Sequence, residues 1–195
     1  MNKIDFFKNE LGYILNPTIK HFTVLAIDSL PDYFFQIPAS STGKYHPNYS
    51  LGDGGLLRHT RAAIRIAIEL SRLSWWHFTS EDLDLCLAAL FIHDGYKSGV
   101  IKEQYTRADH PNVLKGELIR DSILCSILPQ EQFDKILGMV SRHMGQWNFD
   151  FKTKERILDA PETVLEKFVH LCDYLASRKC LTMEFDVEIK REVNP

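Results

Sequence analysis

The feature that most constrains this chain is the spacing of its apolar residues, which recur every three or four positions over most of its length. Residues 56–73 place Ala63, Ile66, Ala67 and Leu70 on one face, and residues 80–93 do the same with Leu83, Leu87, Leu90 and Phe91. A third segment opens with Pro111 and runs to about Leu124. Residues 129–143 repeat Phe133, Ile136, Leu137 and Val140, and residues 161–179 stack Val164, Leu165, Phe168, Val169 and Cys172. This is the period of an amphipathic helix with one buried stripe. Residues 4–30 read as two short helices parted near Asn16-Pro17, where proline suits a first helical turn. Residues 31–55, rich in Pro, Gly and aromatics, read as a long ordered loop lying over a site. Only Met183, Phe185, Val187 and Ile189 alternate with charged residues, which predicts one short strand in the tail. The expected fold is therefore an all-α helical bundle with a short β-strand at the C-terminus.

No repeat, low-complexity stretch or linker divides the 195 residues, so a single domain is expected. It has a core over 54–178, N-terminal helices and loop over 1–53, and a tail over 181–195. A net charge of -3 argues against a duplex-DNA binder, which needs a cationic surface to displace counterions. It leaves room for a small anionic substrate. Cys86, Cys125, Cys172 and Cys180 form no CxxC pair, and three lie in apolar helical patterns, as small buried hydrophobes would. Lys3, Asp5, Lys8 and Glu10 interrupt any leader-like run, and the longest apolar run, 85–92, is too short to span a bilayer. A cytoplasmic protein with no membrane partner is the expectation. The oligomeric state is left open.

The chemistry is carried by polar residues on apolar stripes. His59 shares the face of Ala63 and Ile66, and His93, followed by Asp94, continues the line of Leu85 and Ala89. His143 follows Val140 and Ile136, Asp173 follows Val169 and Leu165, and His110 heads the stripe of Leu114 and Leu118. A lone inward His is usually a satisfied core residue. Inward His or Asp groups from five helices, each near a helix end, call for one shared cause, and a metal supplies it. Imidazole and carboxylate suit Mn, Fe, Ni, Zn or Mg.

The order His59, His93-Asp94, His110, His143, Asp173 resembles the HD superfamily of metal-dependent phosphohydrolases. Gly54-Gly55-Leu56-Leu57-Arg58-His59-Thr60 is similar to the segment leading into that family's first ligand. Leu90-Phe91-Ile92-His93-Asp94-Gly95-Tyr96-Lys97 is similar to its HD word, and Asp173-Tyr174-Leu175-Ala176-Ser177-Arg178 to its last-ligand helix. Here Gly95-Tyr96 follows the doublet where many members have Ile-Gly. The resemblance implies one metal on His59, His93, Asp94 and Asp173, and a second on His110 and His143 with Asp94 bridging. Two dications about 4 Å apart need a shared anion and can clamp both reacting oxygens of a phosphoryl transfer, with a metal-activated water as nucleophile.

Asp94 and Lys97 are the expected catalytic pair, Lys97 steadying charge on phosphoryl oxygens. Arg142, Arg178, Lys44 and His46 are the expected substrate-binding residues. His170, with Glu166 and Lys167 one turn back, is expected on a polar face, and His21 and His77 have no assigned role. Trp75-Trp76 reads as core or a packing patch, and Trp147 either closes the core or stacks on a base. The expected reaction is hydrolysis of a phosphate ester, a nucleotide or short oligonucleotide. The alternatives are a di-iron oxygenase on the same fold and a non-catalytic nucleotide sensor with a structural metal.

Overall fold

A computed structural model describes residues 2–150 and 152–181. The chain is all-α: α1 (Pro17–Ser29), α2 (Gly55–Ser71), α3 (Ser80–Ile92), α4 (His110–Arg120), α5 (Ser122–Ile127), α6 (Gln130–Arg142) and α7 (Val164–Ala176). Among the described residues the only β-pairing is an isolated bridge between Phe149 and Arg156. The alternating segment at 183–190 lies outside the described residues. No described helix is long and apolar enough to cross a membrane.

The bundle is built around α3. Every residue from Leu85 to Ile92 is fully buried, so this helix is apolar on all sides and needs neighbours all round. It finds them in α1, α2, α6 and α7. Phe91 meets Phe7 edge-on at 5.2 Å between ring centroids. Buried Asp84, in the first turns of α3, accepts hydrogen bonds from the Leu15 and Asn16 amides, which fixes the chain as it enters α1.

Several boundaries differ from the sequence reading. The segment before Asn16 forms two short 3-10 turns, Lys3–Phe7 and Glu10–Tyr13, rather than a helix. Asn16 does begin α1, its side chain accepting from the Thr18 and Ile19 amides. Thr79 and Asp82 form the capping box that starts α3. The helix expected over 111–124 is broken at Asp121. That residue leaves helical geometry, and its carboxylate accepts from the Ile123 and Leu124 amides to start α5. A short polar side chain that can satisfy free amides favours a fresh N-terminus over helix continuation.

Thr163 and Glu166 form a capping box that starts α7 at Val164, three residues later than expected. The Glu166 carboxylate accepts from the Glu162 and Thr163 amides at 2.7 and 3.1 Å and pairs with Arg142 at 3.2 Å. It lies so close over α6 that a Cβ on Gly138 would stand 2.8 Å from its Oε1, which explains a glycine inside that helix. Burial would raise the Glu166 carboxyl, but the two amides and Arg142 outweigh it and hold the group below its ordinary value. A depressed folded value means the contribution to stability is present at neutral pH. It is lost as pH falls below about 4.3, the unperturbed value, through the lowered folded one. Glu166→Ala is expected to cost about 2–3 kcal/mol at pH 7 and much less at pH 3, as read by urea denaturation at both values.

Candidate metal centre

Five helices deliver six side chains to one point. His59 lies in the first turns of α2, His93 and Asp94 follow the end of α3, and His110 opens α4. His143 caps α6, and Asp173 projects from α7. His59, His93, Asp94 and Asp173 each present a ligand atom within 4.8 Å of one another, and Asp94, His110 and His143 form a second such group. The four imidazoles and Asp94 are at most 2% exposed, and Asp173 is 17% exposed.

Asp94 divides its two oxygens between the groups. Oδ1 stands 3.0 Å from His110 Nε2 and 3.6 Å from His143 Nε2. Oδ2 stands 3.5 Å from His93 Nε2 and 3.8 Å from His59 Nε2. Asp173 Oδ1 closes the first group at 2.9 Å from His59 Nε2 and 3.5 Å from His93 Nε2. Lys97, one turn past the doublet, places Nζ 2.5 Å from Asp94 Oδ2.

Tautomers decide whether these residues fit a cation. His93, His110 and His143 each hold Nδ1 2.7 Å from a backbone carbonyl, of Leu90, Arg107 and Val140 respectively. A carbonyl can only accept, so Nδ1 carries the proton and the neutral ring turns its Nε2 lone pair inward. The lone pairs of His110 and His143 then face each other at 3.2 Å, with His110 also 3.0 Å from a carboxylate oxygen. Such acceptors repel unless a proton or cation lies among them. Two nitrogens 3.2 Å apart are close enough to share one cation. His93 Nε2 is buried with no hydrogen-bond partner among the described residues, as suits an atom whose partner is a metal. His59 differs: its unpartnered atom is Nδ1, and Nε2 points at Asp173. The donor set fits a divalent metal.

The electrostatics agree. Burial would raise the Asp94 carboxyl, but the ammonium of Lys97 and the surrounding imidazoles of His93, His110 and His143 hold it well below the ordinary range. Burial is likewise outweighed at Asp173 by the hydrogen bond with His59 and by the His93 imidazole beside it. His93 is raised, its burial overcome by Asp94 and Asp173, whereas burial dominates at His110 and lowers it.

The outlying candidates separate. His46 comes close, its ring 5.8 Å from that of His59. Burial, with Lys97 and His59 nearby, lowers it to about 4, so this imidazole is neutral. Its loop is pinned by hydrogen bonds from the Lys179 amide to the Tyr45 carbonyl and from Tyr49 Oη to the Ala176 carbonyl. Lys44 instead lies over the Tyr45 ring. Arg178 is held over the rings of Tyr45, Trp147 and Tyr174, with Nε and Nη2 on Ser177 Oγ. Arg142 is taken by Glu166, Glu162 and Asp159, three carboxylates clamping α6 to the entry of α7. The structure thus gives Lys44, Arg142 and Arg178 other partners than the cluster. Trp147 stacks on Tyr174 at 5.5 Å. Trp76 packs edge-on against Phe168, while Trp75 is exposed.

Two supporting residues lie outside the roles expected from the sequence. His170, expected on a polar face, donates from Nδ1 to the His143 carbonyl at 2.6 Å. It fills the space over Gly145, where a Cβ would stand 2.2 Å from the ring and the backbone φ is +59°. That left-handed glycine, two residues past His143, turns the chain out of α6. Arg107 joins the doublet loop to α4, its amide donating to the Lys97 carbonyl and its carbonyl accepting from His110. Glu103 and Asp109 fix its guanidinium, a local charge pattern that the sequence does display.

A scan of protein-family models finds none that matches the chain, and no curated protein or solved structure matches it either.

Proposed function

We propose that the chain is a phosphohydrolase of the HD type that uses two divalent metals, drawn from Mn, Fe, Ni, Mg and Zn, on a small phosphate ester such as a nucleotide. The observation that carries the reading is the division of Asp94, with one oxygen toward His110 and His143 and the other toward His59 and His93. A carboxylate so placed could serve two metals at once, and paired metals of this kind would suit transfer of a phosphoryl group. When bound, the metals would supply Lewis acidity and an activated water. His59, His93 and Asp173 would hold one of them with Asp94, and His110 and His143 the other.

The remaining residues prepare the site for an anion. The ammonium of Lys97 lies against the bridging carboxylate, within a side chain's reach of where phosphoryl oxygens would gather, and its three donors suit them. Neutral His46 borders the first group from the loop and offers a ring nitrogen to the substrate without adding charge. Carbonyl contacts at three of the four histidines keep each Nε2 aimed inward and limit reorganisation when charge develops.

The test is release of inorganic phosphate or nucleoside from a panel of nucleotides and short oligonucleotides, with each metal added in turn to chelator-treated protein. Metal-dependent release, equal with redox-inert Mg or Zn and absent in Asp94→Ala, is expected. Oxygen uptake confined to the iron-loaded protein, or binding of nucleotides without turnover on any metal, would contradict it.

A further inference from the structure

A second charged constellation lies on the outer face of α2. Arg58, Arg61 and Arg65 stand three and four residues apart on one stripe. With Tyr49 and Ala62 they line a cleft of about 360 Å³. None of the six cluster residues borders it, and neighbouring His59 points inward from the same helix, being 1% exposed.

Each guanidinium is anchored along one edge. Arg58 donates to the carbonyls of Tyr49 and Leu51. Arg61 Nε, Arg65 Nε and Arg65 Nη2 converge on a single oxygen, Glu10 Oε1, at 3.0, 3.1 and 2.9 Å. Glu10 is 1% exposed, so this anchor is built into the fold rather than a chance surface contact. Among the described residues it is the one carboxylate paired with them, which leaves an excess of two positive charges around the cleft. Fixed guanidiniums with free N–H edges and unbalanced charge match the tetrahedral oxyanions of phosphate, and bidentate contacts add specificity.

We infer that this cleft binds a small polyphosphate anion, free pyrophosphate or the phosphate tail of a nucleotide, at a site separate from the His/Asp cluster. Occupancy would also be felt at that cluster's border. Arg58 holds the Tyr49–Leu51 backbone, and the same loop carries His46.

The experiment is calorimetric titration of chelator-treated protein with pyrophosphate and, separately, ATP. Pyrophosphate is expected to bind with an affinity that falls as salt rises, to bind equally to Asp94→Ala, and to slow amide exchange over residues 47–51. Arg65→Gln, which keeps an amide for Glu10, should weaken binding at least tenfold. Ala62→Glu, which adds a carboxylate to the cleft without removing an anchor, should do the same. ATP binding more tightly than pyrophosphate would identify nucleotides as the source of the anion, and the reverse would identify free polyphosphate. Absence of binding, loss of it in Asp94→Ala, or unchanged affinity in either folded variant would overturn the inference.

Discussion

Asp94→Ala is expected to abolish metal-dependent turnover, by at least about a thousandfold, while the protein remains folded. Both halves follow from where the carboxylate sits. It alone addresses all four histidines, so its loss uncouples the two groups and would remove the anion needed to offset two dications held side by side. A thousandfold corresponds to ~4 kcal/mol of transition-state stabilisation, a modest share of what a paired metal site supplies. Folding should survive because the apolar core of α3 ends at Ile92, before the doublet, and Lys97 is 12% exposed and can turn to solvent. Steady-state rates with saturating metal and far-UV circular dichroism check the two halves together. A folded variant with full metal-dependent activity would remove Asp94 from the mechanism.

Divalent metal should raise the melting temperature of chelator-treated protein by roughly 10 °C. An ion present at about a thousand times its Kd stabilises by ~4 kcal/mol, and a chain of this size gains about 2–4 °C per kcal/mol. The physical source is relief of the chelator-treated centre, where inward lone pairs of His110 and His143 face each other and the Oδ1 edge of Asp94. Differential scanning calorimetry with and without chelator reads the shift. Protons compete for the same nitrogens, so the shift should shrink as pH falls below about 6. An unchanged melting temperature at pH 7.5 would mean that the cluster is satisfied by its own hydrogen bonds.

The cluster could be found in the sequence because His59, His93, His110, His143 and Asp173 extend apolar helical stripes, and helical periodicity reports inwardness directly; Asp94 comes with them only as the neighbour of His93. His93 continues the line of Leu85 and Ala89, and all three are buried. The same logic failed where partners are distant along the chain. Nothing near Arg142 signals that Asp159, Glu162 and Glu166 will take its guanidinium, and nothing near Arg178 announces the three rings beneath it. His170 was misplaced because Glu166 and Lys167 looked like solvated neighbours, yet Glu166 is itself buried as the cap of α7. Asp121 fits a helical pattern by composition and breaks it by capping the next helix, a choice set by local hydrogen bonding rather than hydrophobic period. The anion cleft was missed for the opposite reason. Arginines on an outward stripe read as ordinary surface until the buried Glu10 that organises them is seen.

The most direct test of the metal centre is the metal content per chain, measured by inductively coupled plasma mass spectrometry after equilibrium dialysis against Mn at pH 7.5. The arrangement of Asp94 between two ligand groups predicts close to two ions per chain, falling sharply in Asp94→Ala. Metal at no more than the background of that variant would contradict a metal centre at this site.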